Sequence, residues 1–187
     1  MVAQLLMRLR RLPARVLHSL RRRRVRATLS GRVAPRSVLV VCHGNICRSP
    51  FGAALLRRKL AGTNGGVRVE SAGLIGPARP CPAHAVVVAA RRGVNLSTHR
   101  SKLLVADLAS SMDLILVMDP MQRRAVCDRF GRLPGDVVVL GDLDPLWAET
   151  RTIRDPVEQP REVFEESYAR IERCVAEFVN TLWGPPA

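Results

Sequence analysis

Cys42 and Arg48 stand with five residues between them in the segment Val41-Cys-His-Gly-Asn-Ile-Cys-Arg-Ser-Pro50. That spacing suits one chemistry in particular. A thiol on the floor of a tight loop is ringed by backbone N–H groups that point inward, and the start of a following helix adds partial positive charge. Such a setting favours the thiolate, which is the nucleophilic form of cysteine. Arg48 closes the loop with a planar fork able to grip two phosphate oxygens at once. Together these residues can bind a phosphate and attack its phosphorus. Cys42 alone would not carry that reading, because a cysteine ending an apolar strand is commonly an inert hydrophobe. The glycine, the asparagine and the Ser-Pro step in a strand–loop–helix context supply the specificity.

Attack on a phosphate monoester expels an alkoxide or phenoxide, which a positioned acid must protonate. Asp155 in Ile153-Arg-Asp-Pro-Val157 is one candidate, and the proline after it keeps it on an extended or turn segment. Asp142 and Asp144, in Gly141-Asp-Leu-Asp-Pro145, are rivals. Around the thiol, Asn45 tolerates a left-handed backbone better than most residues. Ser49 is expected to cap the following helix, with Pro50 at its first position, and to donate a hydrogen bond to the Cys42 sulfur. Cys47 can close a reversible disulfide with Cys42 under peroxide.

The elements that must hold these residues are legible from hydrophobic patterning. Strands are expected at 37–42, 67–71, 113–118 and 137–140, and helices at 49–62, 83–92, 101–109, 120–129 and 161–181. Alternating strands and helices predict an α/β fold: a four-stranded parallel, doubly wound sheet with helices on both faces. Strands as apolar as Val-Leu-Val-Val and Leu-Ile-Leu-Val belong to such a doubly covered sheet. Ligands of these folds bind beyond the carboxyl ends of the strands, where Cys42 falls. Asp119 before Pro120 is expected to cap a helix. Phe164, Tyr168, Ile171, Val175, Phe178 and Leu182 form one packing stripe on the last helix.

Residues 41–50 resemble the phosphate-binding loop of the low-molecular-weight protein tyrosine phosphatases. Pieces similar to that family follow in order: Glu70-Ser-Ala-Gly73, Gly93-Val-Asn-Leu-Ser-Thr-His-Arg100, Asp113-Leu-Ile-Leu-Val-Met-Asp119 and Arg154-Asp-Pro156. The resemblance runs from about Ser37 to Leu182. It implies a phosphocysteine mechanism with Cys42 as nucleophile, Arg48 holding the phosphate, and Asp155 as general acid and then base. It implies that His43, Gly44, Asn45, Ile46, Cys47, Arg48 and Ser49 surround the phosphate, with His43 on one wall of the ring cleft. Ser71 and His99 would support Asn45 through hydrogen bonds. Val157 replaces the aromatic residue that commonly follows the family's Asp-Pro, which weakens the case for strict phosphotyrosine preference. Ile46 fits the tyrosine type, where related arginine phosphatases carry threonine. No metal or other cofactor is implied. The implied substrate is a phosphotyrosine protein, in a bacterium a tyrosine autokinase linked to polysaccharide export. A thioredoxin-coupled arsenate reductase shares this fold and loop but needs a relay of further cysteines. Here Met118-Asp119 ends the third strand, and Cys127 is single and lies later. A non-catalytic phosphate-docking module would not need Cys42, Arg48 and Asp155 together.

Charge divides the chain in two. Residues 1–36 hold eleven arginines and no lysine or acidic residue, so they carry +11 of the net +14. The other 151 residues are nearly balanced, with 19 basic and 16 acidic side chains. The expected organisation is a basic Arg-rich extension over 1–36, with Gly31–Arg36 as linker, and a phosphatase domain over 37–187. Leu5, Leu9, Leu12, Val16 and Leu20 recur at helical spacing, and Pro13 should divide the extension into two helical pieces. A solvated tail, a docking segment for an anionic membrane surface and a transit peptide all fit this composition. No run of 18 apolar residues occurs, and no aromatic stacking pattern points to nucleic acid. Five irregularly spaced cysteines argue for free thiols in a reducing compartment. The expected location is the cytoplasm, with the extension reaching the inner membrane face.

Overall fold

The computed structural model describes residues 2–62 and 66–184, with side chains from Val16 onward. Four parallel strands form one sheet in the order β2-β1-β3-β4: β1 (Ser37–Cys42), β2 (Arg68–Gly73), β3 (Leu114–Val117) and β4 (Val137–Val139). Every residue of β1, β3 and β4 is buried, because helices cover both faces. Alternate side chains divide the core. Val38, Val40, Cys42, Leu114, Leu116 and Val138 face one layer, built with α2 (Arg48–Leu60), α3 (Ala83–Ala90) and α6 (Arg161–Trp183). Leu39, Val41, Ile115, Val117, Val137 and Val139 face the other, with α4 (Ala106–Ser110) and α5 (Pro120–Phe130). β1 lies centrally, and its last residue, Cys42, pairs in register with Gly73 of β2.

The expected elements are present, with local departures. The helix expected over 101–109 is confined to α4. Residues 101–105 run extended instead, and Leu103 bridges Gly73 at the sheet margin. Asp119 caps α5 as expected, with its side chain accepting from the Gln122 N–H and Pro120 in the first turn. Ser49 does not cap α2. That helix begins at Arg48, and Cys47 occupies the cap position without a side-chain bond. The Ser49 hydroxyl is drawn inward to the Cys42 sulfur instead.

The larger departure concerns the N-terminal extension. Pro13 does not divide it, since α1 runs unbroken from Val2 to Ser30. A proline removes one backbone bond, and the Leu-, Arg- and Ala-rich flanks have high helix propensity. The second half of α1 packs on the domain. Leu29 is fully buried in the main core and Val25 packs against it. Arg22 and Arg26 both pair with Glu177 of α6. Arg32 donates to the Gly135 carbonyl at 2.6 Å. Val16 and Leu20 lie off the docked face and are about half exposed. No helix among the described residues is long and apolar enough to cross a membrane.

Candidate active site

β1 delivers Cys42 to the carboxyl edge of the sheet, and the chain turns at once through residues 43–47 into α2. Asn45 makes the turn possible with a left-handed backbone, φ 51°. Both ends of its side chain are engaged. Nδ2 donates to Ser49 Oγ at 2.9 Å, and Oδ1 accepts from the Lys102 N–H at 2.8 Å. Its carbonyl lies 2.8 Å from His99 Nε2. Ser71, by contrast, makes no hydrogen bond to Asn45 among the described residues. It is buried within β2, and Ser49 and Lys102 hold the amide in its place. Gly73 permits the close approach of the loop. A methyl group there would lie 2.9 Å from the Asn45 nitrogen and 3.0 Å from the His43 carbonyl.

Two donors converge on the Cys42 sulfur: the Asn45 N–H at 3.2 Å and the Ser49 hydroxyl at 3.0 Å. Both suit a negatively charged sulfur. Arg48, 3% exposed, spans the site. One end of its fork donates to the Ile153 carbonyl at 3.1 Å, and the other meets the Asp155 carboxylate. Asp155 is half-buried on the loop before α6, and its second oxygen accepts from the Val157 N–H. A cleft of about 180 Å³ brings together Cys42, His43, Gly44, Ile46, Cys47, Arg48, Asp155 and Val157. His43 is exposed at its rim, while Asn45 and Ser49 lie in the wall behind.

Asp142 and Asp144 are not in the cleft. Asp142 receives both ends of Arg151, at 2.9 and 2.6 Å, and Asp144 pairs with Arg170 and Arg173. The remaining cysteines divide by burial. Cys47 and Cys174 are buried, and burial pushes both thiols well above the ordinary range. Cys81 rises to about 11, first through burial and then through Cys42. Cys127 packs with the opposite core layer from Cys42.

Some contributors escape a reading of sequence. Arg79 reaches over Gly44, with its guanidinium 3.4 Å from that carbonyl, and lines the cleft with Ile75. Gly44 and Gly76 leave the space it crosses, a signal visible only once the loops are folded together. Tyr168 stacks on Phe51 with ring centroids 4.0 Å apart and donates its hydroxyl to the Cys47 carbonyl. The last helix thereby supports the loop from beneath.

Comparison with known proteins now fixes the class. Residues 37–183 match the model of the low molecular weight phosphotyrosine protein phosphatases, and the chain belongs to that family. Over 147 residues it is 39% identical to low molecular weight protein-tyrosine-phosphatase Etp of Escherichia coli (strain K12), covering 78% of this chain and 94% of that one. The fold matches the crystal structure of the Erwinia amylovora tyrosine phosphatase AmsI with a TM-score of 0.72 at 34% identity, over 80% of this chain and 94% of that one. It also matches the tyrosine phosphatase Wzb of Escherichia coli K30, solved in complex with sulphate. There the TM-score is 0.70 at 30% identity, over 79% of this chain and 99% of that one. The protein is thus a low molecular weight protein-tyrosine phosphatase, a hydrolase of phosphoric monoesters. The matched family span begins at Ser37 and leaves α1 outside it.

Proposed function

We propose that Cys42 is the nucleophile of a phosphocysteine mechanism. The observation that carries this reading is the convergence at one cleft of a doubly hydrogen-bonded sulfur, a buried guanidinium and the Asp155 carboxylate. The Cys42 sulfur attacks phosphorus, and the bond from phosphorus to the leaving oxygen breaks. Asp155 gives that oxygen its proton. The Arg48 fork and the backbone N–H groups of residues 43–48 hold the non-bridging oxygens, whose charge rises in the transition state. An incoming phosphate competes with the Asp155 carboxylate for Arg48, which turns Asp155 toward the leaving group. Asp155, now ionised, takes a proton from water. That water attacks phosphorus, breaks the bond to sulfur and releases phosphate.

The ring of phosphotyrosine would lie between His43, Ile75 and Arg79 on one side and Val157 on the other, the residues that line the cleft mouth. We assign as substrate a phosphotyrosine protein, and specifically a tyrosine autokinase of polysaccharide export. The free face of α1 suits an anionic membrane surface beside such a kinase. Val16, Leu17 and Leu20 are exposed there, and no ion pair among the described residues engages Arg23 or Arg24. Sedimentation of the full chain with phosphatidylglycerol vesicles tests this. Binding that weakens in Arg23→Ala/Arg24→Ala agrees, and equal binding to phosphatidylcholine vesicles refutes it.

Metal-free hydrolysis of an aryl phosphate tests the chemistry. Turnover should vanish in Cys42→Ser and fall about 10²- to 10⁴-fold in Asp155→Asn, the range of a general acid's contribution. Full activity in Cys42→Ser would rule out Cys42 as the nucleophile, and full activity in Asp155→Asn would rule out Asp155 as the acid.

A further inference from the structure

The Arg-rich extension lies outside the family's matched span, yet its helix rests on the part of the domain that carries the acid loop. His18, 6% exposed, places Nε2 3.1 Å from the Asp144 carbonyl. One turn on, Arg21 Nε lies 3.9 Å from the Asp142 carboxylate. Asp142 lies in the short 3₁₀ turn Leu140–Leu143 that follows β4, and Asp144 caps the end of that turn.

That turn grips the chain leading to the catalytic cleft. Asp142 holds Arg151 by both ends of its fork. Arg170, paired with Asp144, donates to the carbonyls of Thr150 and Thr152. Gly141 has no Cβ, and the Arg151 carbonyl occupies the space one would fill. Residues 150–152 are therefore clamped against the turn from two sides. The next residue, Ile153, is fully buried, with its N–H on the Met118 carbonyl and its own carbonyl on Arg48. Asp155 follows two residues later.

We propose that α1 is a positioning element of the acid loop, acting through His18 and Arg21 on the 140–144 turn and thence on Asp155. This rests on the assignment of Asp155 as general acid. The docked helix excludes water from Asp144 and adds a second cation beside Asp142. Both effects strengthen the local ion pairs, because water screens charges far more than protein does. Glu177 anchors the helix from the other side through Arg22 and Arg26. The extension thereby tunes proton transfer from a distance, and among the described residues none of its side chains bonds to Cys42 or Arg48.

A leaving-group comparison in the full chain tests this. A phenol such as nitrophenol departs readily without a proton, whereas unsubstituted phenol depends on the acid. In His18→Ala/Arg21→Ala, kcat/KM for phenyl phosphate should fall about 10-fold, a small part of the range available to general-acid catalysis. For p-nitrophenyl phosphate it should change less than about 3-fold, and inhibition by inorganic phosphate should hold. Glu177→Ala, remote from the cleft, should shift the two substrates in the same unequal way. Arg21→Lys should restore part of the loss. An equal loss on both substrates, or no loss at all, with unfolding midpoints matching the unmodified chain, would overturn the proposal. Asp155→Asn is the internal reference. If it shows no such substrate dependence, the acid assignment fails first.

Discussion

Asn45 offers a sharp test of how the loop is built. Replacing it with alanine removes the amide that bonds Ser49 Oγ and the acceptor of the Lys102 N–H. An unpaired buried donor costs about 1–3 kcal/mol, and the second bond adds about 1 kcal/mol. The backbone at φ 51° adds about 1–2 kcal/mol for a residue with a Cβ. Asn45→Ala should therefore lose roughly 3–6 kcal/mol. Asn45→Gly loses the same side-chain bonds and escapes the strain, but its freer unfolded chain costs about 0.5–1 kcal/mol. Glycine should thus be the milder variant by about 0.5–1 kcal/mol, an inversion of the usual order in which alanine is safer. Asn45→Asp keeps an acceptor for Lys102 while setting a negative charge beside the Cys42 sulfur, so it should retain stability better than activity. Urea unfolding followed by circular dichroism reads the first two, and aryl phosphate turnover reads the third. If alanine proves as stable as glycine, the left-handed turn is not what Asn45 is there to make.

Three further expectations follow from burial, contact and charge. Leu29→Ala should cost about 2–5 kcal/mol in urea unfolding, since that side chain is fully buried in the main core; a loss under about 0.5 kcal/mol, a surface-like value, would mean that α1 does not pack there. Burial holds the pKa of His99 below the ordinary 6.5, so the unfolded chain binds its proton first as the solution is acidified. His99 therefore adds stability above pH 6.5 that is lost as pH falls toward its lowered value, and melting scans of His99→Gln should show a shallower decline as the solution is acidified below 6.5. Gly141→Ala forces a methyl group against the Arg151 backbone, where no flexible side chain can give way. It should cost at least about 1–3 kcal/mol in urea unfolding.

Much of the cleft was legible because its residues are close in sequence or marked by strong local signals. The Cys42–Pro50 run dictates its own turn, and Asp155-Pro156 could not lie within a helix. Three of the four strands were equally plain, since β1, β3 and β4 are apolar on both faces. What escaped notice depends on partners far apart in the chain. Ser49 has the chemistry of a helix cap, and only the folded loop shows that the Cys42 sulfur claims its hydroxyl. Ser71 was matched to Asn45 by resemblance, yet Lys102 contributes the bond through its backbone, which no side-chain identity reveals. The docking of α1 was hidden for a related reason. Its inward face is His18, Arg21, Arg22, Val25 and Leu29, a mostly polar set that becomes a contact surface only against Asp142, Asp144 and Glu177. Val16 and Leu20, the described members of the leucine spacing, point to another side, which the domain leaves open.

Tyr168 is the only tyrosine of the chain, and it lies wholly out of reach. Its hydroxyl is committed to the carbonyl of Cys47 and its ring to Phe51. A kinase meeting the folded protein finds no tyrosine to mark. Between this phosphatase and the tyrosine kinases whose products it removes, information at the level of tyrosine phosphate passes one way. Feedback onto the phosphatase would have to come through other chemistry, or through the partial unfolding that bares its last helix.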